Sequence, residues 1–325
     1  MKKNFWKGRE KFMKGLELAK KYYLEYGAPM IKENFPEFEG VIAVGLVGSG
    51  SECLGYDDDI STDHDFEPGF CMFIPDEDII DSKTEFLLER AYAKLPREFM
   101  GYSRSSTAPV GERRHGVIRM SEFFTRRVGS PDGELSLEEW FSLPEHALAE
   151  VVDGEIFRDD LGTFTAVRER LSAMPNDVRL KKLAGHLLLM AQSGQYNYSR
   201  CISRGETGAA QLAVIEFVKS AMQVIFLLNN KYMPYYKWSF RALSELEIFS
   251  ELTYSLEYLI SSENGKENSV LKMDMIEDIA GLIIAELKVQ DLSEAICTDL
   301  EKHAYSVNDK IVDNDIRNKN IFYAI

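Results

Sequence analysis

The chain has little cysteine, little basic charge and no long apolar stretch, and each shortage argues against a class of protein. The four cysteines are scattered without a Cys-X-X-Cys pair, which speaks against a zinc site and favours core thiols in a reducing compartment. The formal charge of −15 argues against general nucleic-acid binding, because phosphates would be repelled. No apolar run reaches membrane-spanning length and the first residues are amphipathic, so we expect a soluble cytoplasmic protein without a membrane partner.

What the sequence does contain is a change of pattern near residue 165. Before it, apolar stretches of strand length alternate with helical segments. These stretches are residues 41–47, a second strand running through Asp63 and Asp65 to 70–74, 115–120 and 154–157. After it, strand patterns stop and long helical patterns follow, among them 239–261. We therefore predict an α+β fold, with a small mixed sheet and flanking helices in residues 1–165 and an all-α helical bundle domain in 166–325.

The most informative segment follows the first predicted strand. Gly48-Ser49-Gly50-Ser51 places a turn of small residues directly after the apolar run 41–47. Glycine lets the backbone approach a ligand closely, and backbone N–H groups and hydroxyls suit phosphate. We predict that these four residues bind the phosphates of a nucleotide.

Two carboxylates one residue apart, Asp63 and Asp65, follow further along the chain. Alternate side chains of an extended strand share a face, so this pair can hold one or two divalent cations, and His64 points the other way as a packed histidine. Metal beside phosphate is the chemistry of nucleotidyl transfer. Two other interpretations stay open: turn residues that satisfy backbone donors, and a calcium loop starting at Asp57, although the glycine and glutamate that such a loop needs are missing.

This spacing resembles the signature of the nucleotidyltransferase superfamily, the DNA-polymerase-beta-like fold. Gly48 and Ser49 match its turn, and Asp63 and Asp65 match its acid pair, while His64 stands where an apolar residue is usual. The resemblance implies a small mixed sheet that carries the metal and the nucleotide.

A second likeness lies in the helical half. The chain is similar to a bacterial branch of the superfamily, of unestablished activity, with a helical domain like that of the aminoglycoside nucleotidyltransferases. Residues 235–243, Tyr-Tyr-Lys-Trp-Ser-Phe-Arg-Ala-Leu, carry this likeness. It implies that Lys237 contacts the nucleotide. Arg241 shares the helical face of Lys237, so we expect both cations to bind the triphosphate.

The stretch after Gly194 is the predicted substrate-binding segment. It contains Gln195, Tyr196, Tyr198 and Arg200. The tyrosine rings can stack on a base or line a substrate pocket. The alternative is an aromatic core with surface ion pairs, and the sequence leaves both open.

Superfamily enzymes usually carry a third carboxylate on a later strand, and this chain departs from that pattern. No acid lies between His115 and Met120; Glu112 precedes this strand, Glu122 follows it and Glu155 lies on the next one. We name Glu112 and His115 as candidate catalytic bases, since imidazole accepts a proton near neutral pH. The alternative for His115 is a hydrogen-bonded structural histidine.

Together these features and the resemblance imply a Mg²⁺- or Mn²⁺-dependent enzyme, with Asp63 and Asp65 as metal ligands. It would move a nucleoside monophosphate from an NTP to a hydroxyl of a small-molecule acceptor. The alternative is a catalytically weak or inactive nucleotide-binding regulatory protein on the same fold. The sequence does not distinguish a monomer from a homodimer.

Overall fold

The structure, a computed structural model, describes residues 13–60, 66–104 and 114–325. The chain divides into two compact units: unit 1 comprises residues 1–134 and 150–172, and unit 2 comprises residues 135–149 and 173–325. The segment 135–149 thus belongs to unit 2 although it precedes residue 165. The predicted boundary between domains 1–165 and 166–325 is not tested by this division into units, and it stays a prediction.

Every strand of the described chain lies in unit 1. The strands are β1 (Ala43–Leu46), β2 (Cys71–Ile74), β3 (Glu98–Phe99), β4 (Tyr102–Ser103), β5 (Gly116–Arg119) and β6 (Glu155–Arg158). Four of them form one mixed sheet in the order β5-β2-β1-β6, in which β1 is antiparallel to β2 and β6, and β2 is parallel to β5. The predicted small mixed sheet is confirmed. Its two central strands are buried along their whole length, as continuous apolar runs require.

Helices flank this sheet and make up unit 2. In chain order they are α1 (Gly15–Tyr22), a π-helical stretch (Tyr23–Gly27), α2 (Ala28–Asn34), α3 (Ser82–Ala93), α4 (Met120–Val128), α5 (Leu137–Ser142), α6 (Glu145–Val152), α7 (Thr163–Ser172), α8 (Asn176–Met190), a second π-helical stretch (Ala191–Tyr198), α9 (Ser199–Ser203), α10 (Thr207–Leu228), α11 (Tyr236–Leu243), a 3₁₀ turn (Ser250–Leu252), α12 (Thr253–Ser261), α13 (Lys266–Val289), α14 (Leu300–Asp309) and α15 (Asn314–Asn318).

The two faces of the sheet are covered by different helices. Leu18 of α1 joins the same core cluster as Val44 and Met72, which are paired neighbours on β1 and β2. Phe73 points to the other face, where its ring centroid lies 4.3 Å from that of Phe164 on α7. The alternation of buried side chains along β2 therefore fixes which helix covers which face.

Unit 2 contains helices and no strand. Its α8 packs against α10 and α14. The expectation that no apolar run reaches membrane-spanning length is wrong for α10: of the helices in the described ranges, it alone is long and apolar enough to cross a membrane, and 61% of its apolar window is buried inside the protein. A core helix has this character, so α10 is consistent with a soluble protein. The cytoplasmic location stays a prediction.

The single helix predicted over 239–261 is wrong. Helix α11 ends at Leu243, and α12 begins at Thr253. Between them the side chain of Asn229 captures the backbone of Ile248: its Oδ1 accepts the Ile248 N–H at 2.9 Å, and its Nδ2 donates to the Ile248 carbonyl at 3.0 Å. A side chain that satisfies these backbone groups removes them from helical hydrogen bonding.

The second predicted strand is shorter than expected in its described part. Residues 66–70 form no strand, and β2 begins at Cys71. The N–H of Phe70 donates to the hydroxyl of Tyr92 at 3.0 Å and so takes no part in the strand ladder. Asp63 and Asp65 lie outside the described residues, and their extended geometry stays a prediction.

Candidate functional site

The glycine turn directly follows β1. Gly48 has a φ of 118° and Gly50 a φ of 135°, values that residues with a side chain rarely adopt. A Cβ at position 48 would lie 2.8 Å from a guanidinium nitrogen of Arg127, and a Cβ at position 50 would overlap the guanidinium of Arg114. Glycine is therefore required for the backbone conformation and for the close approach of two cations.

The two arginines come from different elements. Arg127 lies on α4, with its Cζ 4.1 Å from the centre of the Phe123 ring, a cation–π contact. Arg114 precedes β5 and forms an ion pair with Glu52. Burial lowers the pKa of Arg114, but arginine stays charged in proteins at all ordinary pH values. The turn thus lies beside two positive charges.

Ser49, Arg114 and Arg127 are the polar members of a small pocket at this end of β1. Its other lining residues are Leu46, Val47, Cys53, Cys71, Ile118 and Phe123. Glycine backbone, a hydroxyl and guanidinium groups suit a phosphate or another small anion. The donors of the pocket therefore suit an anion, while its volume of about 10 Å³ holds no more than one water, so a phosphate would lie at the turn and not inside the pocket.

Sequence reasoning did not find Arg114 and Arg127. Arg127 follows another arginine in the last turn of α4, where basic residues are common because they complement the helix dipole. The only available signal was that two basic residues flank the third predicted strand. The local pattern gave no indication that they converge on the turn after the first strand.

The two cysteines of this pocket are buried thiols. Burial raises the pKa of Cys53, and the Sγ of Cys71 lies 3.1 Å from the carbonyl oxygen of Arg114. None of the four cysteines forms a disulfide within the described ranges. Neutral, buried thiols are poor nucleophiles, so they contribute packing rather than chemistry.

Asp57 has a structural role. Its Oδ2 accepts the backbone N–H of Gly15 at 2.6 Å, and its Oδ1 lies 3.5 Å from the ammonium group of Lys14. It therefore satisfies the N-terminus of α1, which weakens the calcium alternative. No cluster of three or more His, Cys, Asp or Glu side chains able to hold a metal occurs in the described part of the chain. The predicted metal site depends on Asp63 and Asp65, which lie outside it.

The candidates for a third acid occupy surface positions or lie outside the described residues. Glu122 forms an ion pair with Arg126 on the same helix at 3.1 Å. Glu155 forms one with Lys20. Glu112 lies outside the described residues. Surface pairs of this kind contribute little to stability and show no sign of a catalytic role.

His115 faces a carboxylate that the sequence analysis did not consider. Its Nδ1 lies 3.5 Å from Oε1 of Glu67, and both side chains are mostly buried. A Cβ at Gly69 would lie within 2.8 Å of Nδ1, so this glycine leaves room for the imidazole. A carboxylate facing an imidazole can orient it, which is what a general base requires.

Gln195, a predicted substrate-binding residue, ties three elements of unit 2 together. Its Nε2 donates to Oε2 of Glu277 at 2.8 Å and to the carbonyl of Thr298 at 3.0 Å. Its Oε1 accepts the N–H of Leu300 at 3.0 Å, at the start of α14. The amide is thus occupied in holding α13 and α14 to the second π-helical stretch.

The two predicted tyrosines differ in environment. Tyr198 is fully buried, and its hydroxyl donates to Oδ1 of Asn264 at 3.1 Å. Tyr196 is 55% exposed. The guanidinium of Arg200 lies 4.1 Å from the centre of the Tyr196 ring and donates to its hydroxyl. Of the two rings, Tyr196 is the one that a ligand can reach.

An open depression in unit 2 is lined by Gln195 and Tyr196 together with the carboxylates of Glu277, Asp299 and Glu301. It lies along the second π-helical stretch, and π-helical turns are frequent at functional sites. None of its lining residues is basic. The electrostatic field of the depression therefore favours a cation.

Lys237 and Arg241 lie on α11, one helical turn apart, and both are exposed. The ammonium group of Lys237 lies 4.9 Å from the centre of the Trp238 ring. The helix and the four-residue spacing of the two cations agree with the sequence pattern. The contact of Lys237 and Arg241 with a nucleotide stays a prediction.

One protein family matches the chain. Its model, described as a domain of unknown function (DUF4037), covers residues 140–239. No curated protein and no solved structure matches the chain. The similar segment includes Tyr196 and Lys237 but not the glycine turn, so this similarity carries no statement about activity.

Proposed function

We propose that this protein is a metal-dependent nucleotidyltransferase that moves a nucleoside monophosphate from an NTP to a hydroxyl of a small molecule. The observation that carries the proposal is the glycine turn after β1, whose backbone lies against the guanidinium groups of Arg127 and Arg114. A strand followed by a glycine turn and positive charge is a favourable place for polyphosphate. The small mixed sheet that bears the turn is also what the superfamily resemblance implies.

In this proposal the turn and Arg127 bind the polyphosphate. The backbone N–H groups of residues 48–51 donate to phosphate oxygens, and Arg127 compensates their charge. Arg114, which is paired with Glu52, contributes by sharing its guanidinium between the carboxylate and the ligand. Asp63 and Asp65 are the proposed ligands of Mg²⁺ or Mn²⁺, which supplies charge neutralisation at the phosphates when it is bound.

His115 is the proposed general base, with Glu67 as its orienting carboxylate. The imidazole would take the proton of the acceptor hydroxyl as that oxygen attacks the α-phosphorus, and the bond from the α-phosphorus to the leaving pyrophosphate would break. This pair would replace the third carboxylate that superfamily enzymes usually carry. Glu112 stays a candidate for the same role.

The acidic depression of unit 2 favours an acceptor with a positive charge. Gln195 and Tyr196 are the predicted acceptor contacts that line it. Lys237 and Arg241 are kept as predicted nucleotide contacts of α11. A small cationic alcohol is therefore the proposed acceptor class, in the cytoplasm.

Two measurements on the full chain test the proposal. Titration calorimetry with a non-hydrolysable ATP analogue and Mg²⁺ is expected to show saturable binding that weakens when Mg²⁺ is replaced by EDTA. Incubation with each of the four NTPs and a metabolite extract is expected to release pyrophosphate and yield a nucleotidylated product. Absence of binding for all four nucleotides would contradict the proposal.

The regulatory alternative has one observation in its favour. Strand β5, Gly116–Arg119, carries no carboxylate, although superfamily enzymes usually have an acid on such a strand. This alternative would be favoured if the protein bound nucleotide saturably and in a magnesium-dependent way but released no pyrophosphate with any basic, neutral or acidic fraction of the extract.

A further inference from the structure

Three buried lysines of unit 2 differ in how their ammonium groups are satisfied. Lys181 donates to Oδ1 of Asn308 at 2.8 Å and to two backbone carbonyls. Lys272 donates to the carbonyl of Ser262 at 2.7 Å and to two side-chain amides. Lys182 is only 5% exposed and donates no hydrogen bond to any described residue. Since burying a charge is costly unless an opposite charge lies nearby, Lys182 calls for a different explanation.

The carboxylate whose charge acts on Lys182 is that of Glu145, the first residue of α6. Glu145 is 6% exposed, and its Oε2 accepts the backbone N–H of Met233 at 3.3 Å. Burial raises the pKa of Glu145, and the positive charge of Lys182 opposes that effect. Lys182 therefore favours the charged carboxylate, which is the stronger acceptor for the Met233 N–H.

The next residue, His146, contacts the same segment of chain. Its ring meets the ring of Tyr235 edge to face, with centroids 5.8 Å apart. Residues 231–235 have no regular structure, and Tyr235 is the residue that precedes the first turn of α11. Two consecutive side chains of α6 thus hold both the middle and the end of the segment that leads into α11.

We propose that Glu145 and His146, backed by Lys182, are positioning residues that set the place of α11 and thereby of its basic face, Lys237 and Arg241. We call Glu145 and His146 the 145–146 clamp. The inference that the clamp acts on ligand binding rests on the proposed function, because it takes Lys237 as a nucleotide contact. The inference that the clamp holds α11 does not.

The geometry favours this role over simple core packing. Helix α11 has eight residues, too few for a stable isolated helix, so its position depends on its packing against α10 and α12 and on what holds the segment before it. Within residues 231–235, the Met233 N–H and the Tyr235 ring both contact side chains of α6. Loss of the carboxylate would leave a buried N–H without its acceptor, and that cost falls on the segment next to α11.

Hydrogen–deuterium exchange of the full chain tests the clamp itself. Glu145→Ala is expected to speed amide exchange in residues 231–243 by about tenfold or more. Glu145→Gln keeps an acceptor without the charge and is expected to show a smaller increase, which provides a second variant if the alanine variant folds poorly. Unchanged exchange in this segment for both variants would overturn the proposal.

Ser293→Ala is the matched control. Ser293 is buried in unit 2 and hydrogen-bonds to His303 at 2.8 Å, away from α11 in sequence and in contacts. Its replacement is expected to lower the melting temperature without changing exchange in residues 231–243. If Ser293→Ala accelerated exchange there as much as Glu145→Ala, the effect would be general destabilisation and the clamp would be refuted.

A double-mutant cycle tests the link to the nucleotide. Glu145→Ala and Lys237→Ala are each expected to weaken binding of the non-hydrolysable ATP analogue about tenfold, and the double variant no more than the stronger single one. Independent, additive losses would show that Glu145 does not act through Lys237. If the unaltered protein bound none of the four nucleotides, the proposed function would be refuted, and the exchange experiment would then still decide whether the clamp holds α11.

Discussion

The glycine turn of unit 1 and the second π-helical stretch of unit 2 were both singled out by sequence as ligand contacts, and the structure treats them differently. At the turn, Gly48 and Gly50 adopt conformations reserved for glycine, and the guanidinium of Arg127 lies against the backbone. In the π-helical stretch, Gln195 is occupied by three hydrogen bonds and Tyr198 is buried. A motif that constrains the backbone thus predicts a special local geometry, whereas polar and aromatic side chains in a helical region serve packing equally well.

The largest expected effect is a loss of activity at Asp63, a predicted catalytic acid, in contrast to a loss of stability at Asp57, a structural one. Asp63→Asn is expected to reduce nucleotidyl transfer on the order of a hundredfold or more, with little change in Tm, because it removes a charged ligand of the metal ion that neutralises the phosphates. The measurement is pyrophosphate release per mole of folded protein.

Asp57→Asn is the control for this experiment. Asp57 is buried and satisfies the start of α1, so its replacement is expected to lower the free energy of unfolding by about 1–3 kcal/mol while turnover of the folded fraction persists. If Asp63→Asn kept full activity, the metal assignment would be wrong.

The second effect separates the two tyrosines of unit 2. Tyr198→Ala is expected to cost about 3–5 kcal/mol of unfolding free energy, because it empties a buried site and removes one of the two donors to Oδ1 of Asn264. Tyr196→Ala removes an exposed ring and is expected to change stability by less than about 0.5 kcal/mol. Urea unfolding measures both. Equal costs would contradict the difference in burial between the two rings.

Most of unit 1 could be read from the sequence because its strands are short apolar runs with polar or glycine-rich ends. All four strands of the mixed sheet fall within one residue of the predicted stretches or inside them. The exception is the described part of the second strand, where the N–H of Phe70 is bonded to Tyr92. The local sequence pattern predicts the position of a strand well. It does not show when a side chain far along the chain forms a hydrogen bond with a backbone group of that strand.

The same limit explains the errors in the helical half and in the site. The helix predicted over 239–261 is broken because Asn229 captures the backbone of Ile248. Arg127 and Glu67 were overlooked because their relevance comes from residues far along the chain, the glycine turn and His115. Spacing within a motif is visible in one sequence, whereas convergence of distant elements is a property of the fold.

The third prediction concerns the turn and uses neighbouring arginines. Arg127→Gln is expected to weaken binding of the ATP analogue by about 10- to 100-fold, because a charge-assisted contact to phosphate is lost. Arg126→Gln, which removes an exposed residue paired with Glu122, is expected to change affinity less than twofold. Titration calorimetry at constant ionic strength measures both. Equal losses would mean that net charge, rather than the turn, governs binding.

The smallest expected effect is a pH dependence of stability in unit 2. Burial, with the nearby charges of Lys182 and Lys219, lowers the pKa of His186 from 6.5 to about 3, and its Nδ1 is buried without a hydrogen-bond partner among the described residues. Between these two pKa values the unfolded chain binds a proton at this histidine and the folded chain does not. The stability that His186 contributes as a neutral group is therefore complete above its unfolded pKa and falls as the pH drops, by about 2 kcal/mol between about pH 7 and pH 5.

Because other groups also titrate, the measurement is the difference in urea-unfolding free energy between the unaltered protein and His186→Gln at each pH. This difference is expected to shift by about that amount in favour of the variant at the lower pH, and a difference that stays constant across this range would show that His186 is protonated in the folded protein.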